Sequence, residues 1–156
     1  MKNVFASAIL IGLIFSIPLA TNSASWAATE SIQMSVDQML SIAEKQHEIA
    51  KLLIKEGRFD RVLPEMKKIL DLNLPGEYEQ LVAKSSGFIA YLLAENKQYA
   101  LGHQLLDETI AKMRSSENVA SLLKIKAFLY KSEGKRGLAI ETLERSVEIE
   151  QQKAQP

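Results

Sequence analysis

The two histidines of the chain, His47 and His103, are the first residues to consider for chemistry. Glu44 lies three residues before His47, which is the Glu-x-x-His spacing of carboxylate-bridged metal sites in helix bundles. Such a site needs a second copy of the motif and further glutamates from other helices, and the sequence supplies neither. These residues fit better on the solvated face of a helix, with Glu48 and Lys51 as neighbours, and we predict no metal site.

Residue patterns for other kinds of catalysis are also missing from the sequence. The chain has no cysteine, which excludes a thiolate nucleophile, a disulfide and a Cys-ligated metal. It has no glycine-rich phosphate loop, nucleophile elbow or paired-carboxylate motif. His103 falls at an apolar position of a repeat described below, where a partly buried packing role is expected. We predict that the protein is not an enzyme, has no catalytic residue and needs no cofactor.

The composition is that of a single globular domain. Hydrophobic residues make up 47% of the 156 residues and charged residues 24%, which are ordinary fractions for a folded soluble protein. The 19 basic and 19 acidic side chains cancel, whereas a protein that binds nucleic acid or a membrane surface normally has a basic excess or a basic stripe. We therefore expect no nucleic-acid partner.

The N-terminus has the order of segments that is typical of a secretory signal peptide. Lys2 is followed by an almost unbroken apolar run over residues 4–17, by Pro18, and by small and polar residues. We predict cleavage after Ala27, with Ala24 as the alternative, and hence a periplasmic or secreted protein. An uncleaved membrane anchor is the other interpretation, but the run is shorter than the roughly 20 residues needed to cross the hydrocarbon core. After cleavage we expect no stable membrane insertion.

The rest of the chain shows helical periodicity throughout. Residues 28–35 are expected to form a flexible lead-in, and Ser35 with Gln38 matches a capping box that starts a helix at Val36. Gly57 follows the last turn of that helix as a candidate C-cap. The six predicted helices cover about residues 36–56, 59–70, 77–96, 99–113, 119–133 and 137–150. Because the connections are short, we predict an all-α fold of three antiparallel hairpins, at about 36–72, 76–114 and 117–152, followed by a tail at 153–156.

The three hairpins contain an internal repeat. Residues 49–70, 89–110 and 126–147 align without a gap, at spacings of 40 and 37 residues. Small residues share two positions and bulky apolar residues share others, as close packing of two helices and filling of the seam between hairpins require. The equivalent positions are Ala50/Ala90/Ala127, Val62/Gly102/Ala139, Met66/Leu106/Leu143, Leu63/His103/Ile140 and the turn position Gly57/Lys97/Gly134.

These positions resemble the tetratricopeptide repeat (TPR), over about residues 36–150. The segment 54–75 (IKEGRFDRVLPEMKKILDLNLP) is the most similar stretch. The resemblance implies a domain of three hairpins, residues 36–152, stacked as a short right-handed solenoid. The chain departs from the family in its longer spacing, where about 34 residues are usual, in Lys97 at the turn, in Arg136 where an aromatic residue is expected, and in Pro64 early in a helix. A six-helix bundle with the shared features of helical hairpins is the alternative.

The resemblance also implies a binding surface, because the first helix of each hairpin lines the concave groove in that family. The exposed positions of these helices carry lysines and aromatic residues, which suit a peptide with apolar anchors and acidic flanks. The predicted groove residues are Lys51, Lys55, Lys84, Phe88, Tyr91, Lys124, Phe128 and Lys131, with His47 and Glu95 beside them. His47, Phe88 and Ser121 stand where the family has parts of its clamp for a C-terminal carboxylate. We therefore do not expect the groove to bind a C-terminal carboxylate in that way. The other interpretation is that the aromatic residues pack on neighbouring helices and that the lysines are solvated.

The function expected from these features is that of an exported, non-catalytic scaffold that binds a protein or peptide segment in its groove. The alternative is a self-associating structural or assembly protein of the cell envelope, possibly a homodimer. In that case a second copy would cover the apolar side chains of the last helix. Those side chains are Leu138, Ile140, Leu143, Val147 and Ile149.

Overall fold

A computed structural model describes residues 34–154, and within them the chain is all-α, as predicted, without a strand. The predicted signal peptide and most of the lead-in lie outside the described residues. The described segment contains six α-helices joined by short connections. They are α1 (Val36–Lys55), α2 (Val62–Asp71), α3 (Glu79–Glu95), α4 (Tyr99–Lys112), α5 (Ser116–Ser132) and α6 (Arg136–Ala154).

The start of α1 confirms the predicted capping box. The Gln38 backbone N–H donates to Ser35 Oγ at 3.2 Å, and the Ser35 N–H donates to Gln38 Oε1 at 2.9 Å. α5 begins at Ser116 rather than at the predicted Val119, because Ser115 caps this helix through the Asn118 N–H. Residues 115–118, which lie between two predicted helices, form the cap and first turn of α5.

The same turn follows α1, α3 and α5. Gly57, Lys97 and Gly134 adopt left-handed backbone conformations, with φ of 71°, 59° and 82°. In each turn this residue donates its N–H to the carbonyl three residues back, and the next residue donates to the carbonyl five residues back. Such paired bonds satisfy the last carbonyls of a helix. Lys97 takes the conformation that glycine adopts in the other two turns.

α2 and α6 differ from their predicted limits. Short 3₁₀ turns precede α2 (Phe59–Arg61) and α3 (Gly76–Tyr78), so α2 begins at Val62 instead of Phe59. Pro64 is then the third residue of α2, within the first turn, where its missing N–H has no helical partner to lose. α6 continues to Ala154, past the predicted end at Glu150.

The core lies between helices that follow one another in the chain. α1 packs on α2, α3 on α4 and α5 on α6, while α3 also contacts α1 and α5, and α4 contacts α2 and α5. The predicted small positions Ala50, Ala90 and Ala127 are buried, which lets paired helices approach closely. The largest buried side chains are Met66, Ile89, Leu93, Leu105, Leu106, Leu122 and Leu129. Among the described residues no helix is long and apolar enough to cross a membrane.

Candidate binding groove

A groove of about 730 Å³ runs between α1 and α3. This volume is in the range of ligand-binding clefts, roughly 300–1,000 Å³. Its walls are mainly apolar, with a few charged residues at the rim. The lining consists of Asp37, Leu40, Ser41, Ala43, Glu44, His47, Ile69, Leu74, Tyr78, Leu81, Val82, Lys84, Ser85 and Phe88. Leu81 and Phe88 are large apolar side chains that remain exposed there, so the surface can bury further apolar area on binding.

The helical period of α3 explains why these residues share one surface. Leu81, Lys84, Ser85 and Phe88 recur at intervals of three and four residues, so they lie on one face of the helix. α1 contributes a facing stripe with the same spacing, from Leu40 through Glu44 to His47. The two stripes meet where α3 packs beside α1.

His47 lies at one end of the groove and joins the two helices. Its Nδ1 is 2.7 Å from Ser85 Oγ, and its ring centroid is 5.8 Å from that of Phe88. His47 was predicted on a solvated helix face and beside the groove residues. It does line the groove, but it is half-buried rather than fully solvated, because α3 packs against this face of α1. Burial, helped by the positive charge of Lys51, lowers the pKa of His47 below its ordinary value. The imidazole is thus neutral at neutral pH and can hydrogen-bond Ser85 without adding charge.

The structure places the eight predicted groove residues in three groups. Lys84 and Phe88 line the groove between α1 and α3. Tyr91 and Phe128 lie one step further along, between α3 and α5. The four remaining lysines are outside the groove lining: Lys51 pairs with Glu48 at 2.7 Å, Lys124 pairs with Glu150 at 2.6 Å, and Lys55 and Lys131 lie in the last turns of α1 and α5.

Tyr91 and Phe128 form a stacked pair across α3 and α5. Their ring centroids are 5.3 Å apart with an interplanar angle of 26°, and both side chains remain partly exposed. The two rings pack on each other, as the interpretation of packing on neighbouring helices expects. Both also remain exposed to solvent on one side, as a binding surface requires. A hydrogen bond with Glu95, together with that carboxylate's charge, raises the pKa of Tyr91.

Several lining residues were not predicted as site residues. Leu40 was assigned to the core face of α1, and Leu81, Ser85 and Tyr78 were not singled out. The signal that could have found Leu81 is its position seven residues before Phe88 and three before Lys84, on the same helical stripe. The depth of the groove has no such signal, because it depends on the distance between α1 and α3.

His103 has the packing environment that its repeat position predicts. Its ring lies 4.1 Å from that of Tyr130, and its Nε2 is 2.5 Å from Glu133 Oε1. Burial alone would raise the pKa of Glu133, but hydrogen bonds with Lys135 and His103 outweigh it and hold this pKa below its ordinary value. The cluster thus ties α4 to the end of α5. In residues 34–154 no group of three or more acidic or histidine side chains is placed to hold a metal ion.

We compared the chain with protein-family models, curated proteins and solved structures, and none of the three comparisons gives a match. Within residues 34–154 the molecule is an all-α protein whose first and third helices enclose an apolar groove.

Proposed function

We propose that the protein is an exported, TPR-like scaffold that binds an apolar peptide segment in the groove between α1 and α3. The observation that carries this proposal is the 730 Å³ groove with Leu81 and Phe88 exposed in it. Large apolar side chains that stay exposed in a concave surface are typical of sites that anchor side chains of a partner.

The hairpin stack that this proposal requires is supported by two features. The turn between the paired helices has the same hydrogen bonds three times, and α3 packs between α1 and α5. Successive first helices beside one another would form the concave layer of a short solenoid. Export is part of the proposal through the signal-peptide pattern of residues 1–27.

The charges at the rim restrict the ligand further. Asp37 and Glu44 stand on the α1 side, and Lys84 stands on the α3 side. A fitting segment has two or more apolar side chains for the floor, an acidic group toward Lys84 and a basic or polar group toward α1. Electrostatic complementarity of this kind contributes mainly to orientation and specificity.

A photo-crosslinking experiment tests the groove. A photoreactive phenylalanine derivative replaces Phe88 in the protein expressed in its host, and a matched variant carries it at Ala100, which is exposed on α4. We expect a discrete crosslinked partner from position 88 and none from position 100, with the partner identified by mass spectrometry. Identical crosslinks from both positions, or none from position 88, would refute the proposed role of the groove.

A further inference from the structure

The last helix exposes a stripe of apolar side chains at positions that are buried or half-buried in the other hairpins. Leu143 is 45% exposed, whereas its repeat equivalents Met66 and Leu106 are both 0% exposed. Ile140 and Val147 lie beside Leu143 on the same face of α6 and are also exposed. The equivalent helices α2 and α4 are covered by the hairpin that follows them, through α4 and α5 respectively. We define Ile140, Leu143 and Val147, together with Lys124 and Phe128 of α5, as the tail face.

α1, at the other end of the described residues, also exposes apolar side chains whose equivalents in the later hairpins are more buried. Leu52 is 58% exposed, whereas its equivalent Leu129 is 0% exposed and packs against Gly102 of the preceding hairpin. Ile49 is exposed as well, while its equivalent Ile89 is buried. We define Ile49 and Leu52, with Glu48 and Lys51, as the head face.

The contacts between successive hairpins show which residues would meet if a tail face received a head face. His47 contacts Phe88 across the first junction. At the second junction the equivalent pair is Gly87 and Ile125, so closely packed that a side chain on Gly87 would collide with Ile125. The same two positions, continued at the same spacings, bring Lys124 of one copy against Glu48 of the next, which is a pair of opposite charges. Within one chain these side chains pair with Glu150 and Lys51 at exposed sites, so the junction would exchange surface ion pairs rather than add to unpaired charges.

The aromatic pair between α3 and α5 extends in the same way. Tyr91 stacks on Phe128, and these two residues and Lys51 occupy equivalent positions in the three hairpins. The next contact in the series is Phe128 of one copy with Lys51 of the following copy. A lysine over an aromatic ring is a favourable cation–π pair.

We propose that a second copy of this chain docks head to tail, with its head face on the tail face of the first copy. This inference goes beyond peptide binding and rests on the hairpin stack alone. Leu143 and Leu52 would then be covered as their internal equivalents Met66, Leu106 and Leu129 are. The two places where the faces differ from the internal junctions would carry complementary groups. Because a head-to-tail interface joins two different surfaces, it leads to open chains or rings rather than to a closed dimer.

Two single-face variants test the arrangement in the protein expressed from its full sequence and purified as the cell delivers it. Leu52→Glu disables the head face, and Leu143→Glu disables the tail face. In analytical ultracentrifugation we expect the average molar mass of the native protein to rise with concentration. Each variant alone should stay monomeric. An equimolar mixture of the two variants should form a one-to-one dimer and nothing larger. Ala100→Glu, on α4 of the middle hairpin, is the matched control and should assemble like the native protein.

The other outcomes overturn the proposal. A native protein that stays monomeric at millimolar concentration excludes it. A Leu52→Glu variant that dimerises alone shows a symmetric tail-to-tail contact instead, and assembly of the native protein without dimerisation of the mixed variants shows a different interface. Far-UV circular dichroism of each variant establishes that the helices are retained.

The charge pair gives an independent check. Lys124→Glu and Glu48→Lys should each weaken assembly about fivefold, as expected for a surface ion pair turned into a like-charge contact. Both changes in one chain restore the opposite charges across the interface, and assembly should recover. Two single variants without effect would remove the proposed register. Neither residue lines the groove between α1 and α3, so crosslinking from Phe88 should be unchanged even if assembly is lost.

Discussion

Glu79, the first residue of α3, gives the most direct test of how α3 positions α5. Its Oε1 accepts hydrogen bonds from the Ser115 N–H at 2.7 Å, the Arg114 N–H at 3.0 Å and Asn118 Nδ2 at 3.1 Å. All three donors lie at the start of α5, so one carboxylate of α3 holds the N-terminus of α5 in place. Glu79→Ala removes all three bonds, and Glu79→Gln keeps an acceptor oxygen but loses the charge.

The magnitude follows from the number and kind of these bonds. A hydrogen bond to a charged group contributes about 1.5–3 kcal/mol, but water can replace part of this loss at a half-buried site. We expect Glu79→Ala to lower the free energy of unfolding by about 2 kcal/mol and Glu79→Gln by about 1 kcal/mol. At about 4 °C per kcal/mol for a domain of this size, the alanine variant should melt about 8 °C lower.

Urea unfolding followed by far-UV circular dichroism measures this effect, with Glu77→Ala as the control. Glu77 is exposed two residues earlier in the chain, so its replacement should change stability by less than about 0.5 kcal/mol. If Glu79→Ala is no more destabilising than Glu77→Ala, the three hydrogen bonds do not hold α5 in place and the reasoning is wrong.

The same residue predicts a pH dependence. Burial would raise the pKa of Glu79, but the hydrogen bonds from Ser115, Asn118 and Arg114 outweigh it and hold the folded-state pKa below its ordinary value of 4.5. A lowered folded-state pKa contributes stability that is fully present above pH 4.5 and is lost as the pH falls through the folded-state value. The stability difference between the native protein and Glu79→Gln should therefore be constant near neutral pH and shrink below pH 4.5. A difference that grows on acidification would contradict this sign.

Three further predictions concern the turn, the groove and the leader. Lys97→Gly should stabilise the protein by about 1 kcal/mol in thermal melts, because Lys97 has a φ of 59° that glycine adopts without strain; a loss of stability would show that the lysine side chain contributes more than the backbone strain costs. Phe88 is 46% exposed, or roughly 90 Å² of a side chain that buries up to about 200 Å². At about 25 cal/mol per Å² this area is worth about 2.3 kcal/mol, so Phe88→Ala should weaken binding of a crosslink-identified peptide roughly fortyfold, measured by fluorescence anisotropy with Ala100→Ser as the unaffected control. Intact mass of protein recovered from the exporting host should correspond to a chain beginning at Ala28, and a mass that retains residues 1–27 would contradict cleavage there.

The helices could be predicted from the sequence wherever a local signal specifies them. Ser35 and Gln38 form their capping box, and Gly57 takes the left-handed conformation, because both depend only on neighbours in the chain. The start of α5 was missed although the Ser115 cap is local, and the hydrogen bonds that Glu79 accepts from Ser115 and Asn118, more than thirty residues away, gave no signal in the sequence. Long-range hydrogen bonds of this kind have no periodicity that a sequence could show.

The candidate site could be predicted only in part, for a related reason. The exposed stripe of α3 is visible in the sequence, and the prediction included Lys84 and Phe88, which line the groove. Helical periodicity assigns residues to one face of a helix, but it does not show where two neighbouring helices are far enough apart to leave a groove between them. Lys51 pairs with Glu48, a neighbour on the same helix face that the sequence already indicated, whereas the partner of Lys124 is Glu150 of α6, which only the structure identifies. His47 was placed beside the groove residues and lines the groove, but its contact with Ser85 of α3 could not be predicted from the sequence.

The position of α6 at the end of the array has a consequence for the kinetics of local opening. α6 packs mainly on α5, whereas α4 is held by α2, α3 and α5. Contacts limited to sequence neighbours allow a terminal element to open without disturbing the others. Amide hydrogens of α6 should therefore exchange with solvent water sooner than those of α3 or α4. The buried Ser146 hydroxyl, which donates to the Ala120 carbonyl at 3.0 Å, then belongs to the contacts that open first in the native state, before the other helices unfold together.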